Sequence, residues 1–360
     1  MRVTALDVRD VRRIARAAIE PGDVNVLFGA NASGKTSLLE ALHFLGTGRS
    51  FVGGRADALV RSGAGPLRVV GRLVDQGGRS HRVGVERARG APLRMRLDGR
   101  NVERLAELAQ CLPVVALHPG SHEILAGGPG ERRRLLDWAL FHVEQGYLVQ
   151  WQRFRRALAQ RNAALQRGPS LAEAAAWESE LAAAAEVIDA HRSAYVDRLA
   201  ARVDALGEEL LREPAAIELG FRRGWSVERS LGEVLAEQRR EDRERGWTAA
   251  GPHRADLRVR VDGWDSRNRV SRGQQKLLAY LLRLAQVQDL AEHAARPVVL
   301  LDDVAAELDS DHRARVVAAT VATGVQVFLS ALEPESVTLP PASRTSWFHV
   351  EQGGVREVLQ

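Results

Sequence analysis

The sequence predicts an α/β fold in which a mixed sheet with flanking helices is interrupted by an inserted α-helical lobe built on a long helical hairpin. Three observations predict it. Short apolar runs bounded by turn residues crowd the chain as far as Leu117. From Glu131 apolar residues recur every three or four positions as far as Leu210, the period of a helix face. After Trp247 strand-like and helix-like runs alternate again. The expected division is therefore 1–125, 126–246 and 247–360, with the first and third parts forming one body.

The elements follow in order. Val3–Val8 reads as a strand, Ile14–Ile19 as its partner, and Val24 to Phe28 as a short buried strand. A glycine-rich loop and a helix over Ser37–Leu45 come next. Residues 66–98 hold three β-like runs, with Asp98-Gly99 as a hairpin turn after the last. Pro113–Leu117 is a further strand. Leu136, Leu140, Val143, Tyr147, Trp151, Phe154 and Leu158 then mark one helix face, which Gly168-Pro169 ends. Ser170 and Glu173 are spaced as a capping box for the next helix. It carries Trp177, Leu181, Ala184, Ile188, Tyr195, Leu199 and Val203 on one stripe and stops at Glu213-Pro214. Two helices of roughly 36 to 42 residues make a hairpin about 55 to 60 Å long, whose stripe reads as a helix–helix seam rather than a cofactor site. A third helix, charged in its second half, spans about Val227–Arg245. Hydrophobic strands end the alternation at Val298–Leu301 and Val325–Leu329.

Composition narrows the class. The chain has 360 residues, 45% hydrophobic and 27% charged, which is the globular range rather than the disordered one. No apolar run approaches a membrane span of about 18 residues. Met1–Asp10 lacks an apolar signal core, and Cys111 is the only cysteine, so a reducing, cytoplasmic setting without a membrane partner is expected. The net charge of +5 permits nucleic-acid binding through local patches without demanding it. Only two of 51 basic residues are lysines, Lys35 and Lys276. Where arginine supplies every generic positive charge, a retained lysine points to a specific need for an ammonium.

Lys35 lies in Gly29-Ala30-Asn31-Ala32-Ser33-Gly34-Lys35-Thr36, which satisfies the phosphate-loop pattern between a buried strand and a helix. Gly29 and Gly34 let the backbone wrap phosphate oxygens, and the amides at the helix start, as far as Ser37, face the negative charge. Lys35 suits the β- and γ-phosphates of ATP, and Thr36 a Mg²⁺ ion. Val298–Leu301 ends in Asp302 and Asp303, the Walker B arrangement. Its strand is expected beside the phosphate-loop strand, with Asp302 on Mg²⁺ and Asp303 orienting the attacking water as catalytic base. Between these motifs, Val270–Lys276 resembles the signature of ABC-type ATPases. In that class Ser271, Gly273 and Gln274 at a helix start would cap the γ-phosphate held by a second protomer, so that ATP joins a head-to-tail homodimer. Ala306-Glu307-Leu308-Asp309 matches the D-loop that follows.

Several segments are similar to the RecF family of bacterial recombinational-repair ATPases, related to SMC proteins. They are Gly29–Glu40, Thr47–Phe51, Gly127–Pro129 with Arg132–Asp137, Gly251–Leu257, Ser271–Leu277, Leu300–Asp309 and Gln326–Ala331. The resemblance covers essentially the whole chain. It implies ATP-dependent dimerisation on DNA, at duplex or single-strand/duplex junctions, and work with RecR and RecO in placing RecA on gapped DNA during repair, replication restart and SOS induction. Two departures stand out. Asp303 replaces the glutamate usual in ABC ATPases, which implies slow hydrolysis, and Ala255 replaces the first acid of the family's GPHRDDL segment. Ser330 stands where transporter ATPases keep a switch histidine, and His118 lies near the expected Q-loop position. Arg132, Arg133 and Arg134, with Arg153, Arg155 and Arg156, are candidate DNA-phosphate contacts, the alternative being solvated faces or internal ion pairs. A nucleotide-binding subunit of an ABC transporter and a P-loop kinase are competing readings. The long insert and Ser330 weigh against the first, and the signature at Ser271 against the second.

Overall fold

The computed structural model describes residues 1–167, 171–211, 215–293, 295–304, 308–340 and 344–358, the side chains of 268 and 269 excepted. In chain order come β1 (Arg2–Val11), β2 (Ile14–Ile19), β3 (Val24–Phe28), α1 (Lys35–Thr47), β4 (Leu67–Val74), β5 (Ser80–Arg87), β6 (Arg94–Leu97), β7 (Arg100–Val102), α2 (Leu105–Cys111) and β8 (Val114–Leu117). Then come α3 (Glu123–Ala126), α4 (Pro129–Val143), α5 (Tyr147–Arg167), α6 (Leu171–Ala175), α7 (Glu178–Leu210), β9 (Ile217–Arg222), α8 (Leu231–Arg245), β10 (Asp256–Val261), β11 (Trp264–Asp265) and α9 (Ser266–Arg269). The chain closes with α10 (Arg272–Glu292), β12 (Val298–Leu301), α11 (Ser310–Ala322), β13 (Gln326–Ala331), β14 (Thr345–Glu351) and β15 (Gly354–Val358).

Two compact units result. The first is Met1–His122, Glu209–Leu211 and Arg272–Gln360, and the second is Glu123–Glu208 and Arg212–Ser271. The second boundary therefore falls at 271 rather than 246. The reason is β9, which the sequence pattern did not reveal: it pairs antiparallel with β10 from Asp256↔Arg222 to Val261↔Ile217, drawing residues 247–271 into the second unit.

The first unit holds two sheets. An antiparallel one runs β2-β1-β4-β5-β6-β7, and its alternating burial leaves one face on the core and one in solvent. The other runs β15-β14-β3-β13-β12-β8, parallel throughout except at β15. Every residue of β12 and β13 is buried, as strands covered on both faces require. Here β13 lies between β3 and β12, so the Walker B strand is not beside the phosphate-loop strand, as expected, but one strand away. Helix α1 anchors the core through Leu38, Leu42, Phe44 and Leu45, packed with Leu27, Phe328 and Phe348.

The second unit contains the helical hairpin and the small β11-β10-β9 sheet. The stripe expected as one helix from Glu131 to Arg167 is broken. The α4 helix ends at Val143, and Gly146, at φ +84°, turns the chain into α5. Helix α7 is the long element, 33 residues. It runs antiparallel to α5, with Tyr147 against His191, Arg153 on Glu180 and Arg161 on Glu178. Helix α8 starts at Leu231 rather than Val227, set by a capping box between Ser230 and Glu233. The expected stops at Gly168-Pro169 and Glu213-Pro214 and the Ser170 cap lie outside the described residues. No helix among the described residues is long and apolar enough to cross a membrane.

Candidate nucleotide site

Gly29 leaves β3 at φ +147°, where a Cβ would overlap the carbonyl oxygen of Val350. Gly34 enters α1 at φ +125°, and no side chain caps that helix start. The loop between them is braced by the β14–β15 turn, where the Gly353 amide donates to Ser33 O at 2.8 Å. The Lys35 ammonium spans the loop, donating to Gly29 O at 2.6 Å and Ala30 O at 2.8 Å. Burial holds its pKa below the usual lysine value, against the opposing pull of Asp303 and then Asp302. A cavity of about 460 Å³ opens on this loop, lined by Asn31 to Ala32, Gly34 to Ser37 and, from other elements, Asp302, Asp303 and Ser330. Arg12 and Arg13 of the β1–β2 turn line it too, adding positive charge that the sequence reading missed.

The acidic side of the site is built by a hydroxyl. Ser330 Oγ, at the end of β13, donates to Asp302 Oδ1 at 2.9 Å and accepts the Asp303 amide at 2.8 Å. Thr36 Oγ1 donates to the same Asp302 oxygen at 3.0 Å. Ser330 thus fills the gap left by the intervening strand, which explains how Asp302 reaches Thr36 without its strand touching β3. Burial pushes the Asp302 pKa up, Ser330 and Thr36 pull it down, and Asp303 pushes it up again. Asp303 is exposed and held at φ +51°, a left-handed conformation uncommon outside glycine, which turns its carboxylate onto the cavity. Thr36 and Asp302 are hard oxygen donors set side by side, a pair that fits Mg²⁺.

Behind the loop, Glu40 is fully buried in α1. It pairs with Arg12, accepts from Ser50 Oγ, and accepts the Val52 amide at 3.2 Å. Phe51 packs between His43 and His118, with ring centroids 5.4 and 5.1 Å apart. The segments Gly29–Glu40 and Thr47–Phe51, separate in sequence, meet here. A carboxylate inside an otherwise apolar stretch of helix was the signal for it. His118 does not line the cavity. Its Nδ1 takes the Gly120 amide at 3.1 Å, so it organises its own turn.

In the signature, Ser271, Gly273 and Gln274 are exposed at the start of α10, and Gly273 and Gln274 do not line this cavity. Asp309 caps α11, accepting from the Asp311 and His312 amides, while Ala306 and Glu307 lie outside the described residues.

The arginines expected on DNA divide. Arg132 is a correction: it is 2% exposed, bidentate on Asp256 at 2.7 and 3.2 Å, and donates to Ile124 O and Gly127 O. A guanidinium with its fork filled in the interior has nothing left for a phosphate. Arg133 donates to Ala255 O at 2.7 Å. Asp256 thus carries the structural role in the Gly251–Leu257 segment. Arg134 pairs with Glu131, and Arg153 is bidentate on Glu180. Arg155 stacks over Trp151, and Arg156 is exposed.

The first unit is an ATPase head of ABC type, shared with RecF and SMC heads. A solved structure described as the recombination mediator protein RecF-ATP in the RecFOR pathway superposes with a TM-score of 0.86 at 24% identity, over 99% of this chain and 98% of that one. The Pyrococcus furiosus Smc head bound to the C-terminal domain of ScpA gives 0.60 at 14%, over 99% and 96%. The family model described as RecF/RecN/SMC N terminal domain matches residues 2–353. Among curated relatives, the DNA replication and repair protein RecF of Edwardsiella ictaluri (strain 93-146) is 40% identical over 358 residues, 99% of each chain. That of Thioalkalivibrio sulfidiphilus (strain HL-EbGR7) is 39% identical over 359 residues, again 99% of each. The chain belongs to the RecF family.

Proposed function

We propose that this protein is a cytoplasmic, ATP-switched DNA-binding protein of recombinational repair and replication restart, in which ATP binding joins two heads and slow hydrolysis releases them. The observation that carries the reading is the cluster of Lys35, Thr36, Asp302, Ser330 and Asp303 around one cavity, together with a signature helix start exposed outside it. Lys35 and the uncapped amides of α1 bind the phosphates, with Asn31 to Ser37 enclosing them. Thr36 and Asp302 would hold Mg²⁺, which supplies charge neutralisation between the β- and γ-phosphates when bound. Asp303 orients the attacking water, and its single methylene shortens its reach compared with glutamate, so turnover is slow. Ser271, Gly273 and Gln274 serve the γ-phosphate of a second copy, since their own cavity leaves Gly273 and Gln274 outside.

The curated relatives are named for DNA replication and repair, and the structural relatives for a recombination mediator of the RecFOR pathway. On that resemblance the partners are DNA, at duplex or junction sites, a second copy of this chain, and RecR with RecO, leading to RecA on gapped DNA and to SOS induction. Exposed Arg156 is the member of the arginine clusters that keeps a DNA role. Anisotropy of a labelled junction DNA, titrated with protein and Mg²⁺ plus ATP or ADP, tests the reading. Tighter, salt-sensitive binding with ATP is expected, and equal binding in both states removes the switch.

A further inference from the structure

The outward face of the antiparallel sheet carries arginines that neither the core nor the nucleotide cavity uses. Strand alternation assigns this face. In β4, Leu67, Val69 and Leu73 are buried while Arg68 and Arg72 are exposed; in β6, Met95 and Leu97 are buried while Arg94 and Arg96 are exposed. The register extends the pattern across the sheet. Arg16 of β2 stands opposite Arg9 of β1, Arg9 opposite Arg68, Arg68 opposite Glu86, and Glu86 opposite Arg94. On a parallel line Arg72 stands opposite Arg82. Arg2, at the end of β1, is held by Asp23.

Seven arginines remain on this alternation against two carboxylates, Asp7 and Glu86. The excess of five equals the formal net charge of the whole chain, +5. Glu86 is shared by Arg68 and Arg94, and Asp7 is taken by Arg9. Arg96 reaches Asn101. Arg16, Arg72 and Arg82 have no carboxylate partner among the described residues. Like charges directly opposite each other on a sheet are destabilising, and this sheet places three such pairs, Arg9↔Arg16, Arg9↔Arg68 and Arg72↔Arg82, on one face. That arrangement is relieved by a polyanion.

The row between the arginine lines runs Ala18, Asp7, Val70, Gly84 and Arg96 in register, so that small side chains flank the Asp7 carboxylate that Arg9 neutralises and Arg96 stands at the far end. From β2 to β6 the face spans four strand spacings, about 19 Å. The six strands hold no Phe, Tyr or Trp, so no platform exists on which unpaired bases could stack. We propose that this face binds the phosphate backbone of duplex DNA, without base readout.

The proposal rests on the DNA-binding reading above and is separable from it. The test is full-length protein with Mg²⁺ and ATP, titrated into labelled duplex at several salt concentrations. The variants are Arg72→Gln/Arg82→Gln/Arg96→Gln and, as a charge-matched control elsewhere, Arg222→Gln/Arg240→Gln/Arg260→Gln. The face variant is expected to keep ATP binding and its Tm, since it removes a repulsion, and to lose at least tenfold in duplex affinity. Its salt slope should drop by roughly 2 to 3, one contact per arginine. If wild-type protein binds no DNA, the underlying reading fails. If wild type binds and the face variant binds equally well, or falls no further than the control, the face is wrong. Displacement of wild-type protein from duplex by poly-glutamate as readily as by unlabelled duplex would overturn the proposal in favour of an acidic protein partner.

Discussion

Ser330 shows how a single side chain can hold a site together across a strand that separates its parts. Its hydroxyl donates to Asp302 and accepts from the Asp303 amide. Ser330→Ala removes both bonds and leaves a buried carboxylate and an amide short of partners, a cost of about 1–3 kcal/mol. A lower Tm and reduced ATP turnover, with ATP binding largely kept, are expected from melting and steady-state assays; unchanged turnover would mean that Asp303 is positioned by something else. Lys35→Met is expected to weaken ATP binding or turnover, read by nucleotide titration, because the loop loses its ammonium. The contrast between these residues is also the contrast in what the sequence shows. Gly29 to Thr36 and Asp302-Asp303 are legible because their atoms meet through contiguous backbone. Ser330, and Glu40 with Ser50, act on partners far along the chain, and nothing in a local pattern says where a hydroxyl will land.

At the scale of elements, the hydrophobic period located the helices and most strands but not their breaks or partners. Periodicity carries through Gly146 because Val143 and Tyr147 keep the helical spacing, while the backbone at Gly146 sits at φ +84°. Gly146→Ala is therefore expected to lose stability, by about 1 kcal/mol in denaturant melts, and not to fuse α4 with α5. β9 escaped notice although Ile217, Leu219 and Phe221 alternate with Glu218, Gly220 and Arg222, because the run is only 6 residues long, carries Gly220 inside it, and has its pairing partner β10 beyond an intervening helix. The Arg132–Asp256 pair ties α4 to β10, and this is why two segments shared with the family sit together. Arg132→Ala removes both close hydrogen bonds to the buried Asp256 carboxylate, leaving it the more distant Arg267 at 3.8 Å, and should cost about 3 kcal/mol. A large drop in the denaturation midpoint distinguishes this role from a surface DNA contact, which would change affinity and leave stability alone.

For the whole molecule, two behaviours follow from where charge is placed. Burial lowers His43, His118, His142 and His253 to about 4 from a usual value near 6.5. The unfolded chain takes up these protons at higher pH than the folded one, so stability is full above 6.5 and falls as pH drops toward 4. Tm measured at pH 7 and pH 5 should show that fall, and His118→Gln, which removes one of the four, should make it smaller; a flat wild-type profile would contradict it. The second behaviour is assembly. The cavity gathers phosphate, metal and water positions in one chain, while Ser271, the residue before α10, is exposed. If the signature completes another copy's site, Ser271→Arg must leave nucleotide affinity intact and abolish ATP-dependent dimers, because the larger side chain crowds the second copy's γ-phosphate. Light scattering with ATP and with ADP, beside a nucleotide-binding titration, separates these quantities. Dimers that persist in Ser271→Arg would place the γ-phosphate contact elsewhere. Loss of nucleotide binding together with dimers would put Ser271 in its own chain's site, and the switch would then work within one head.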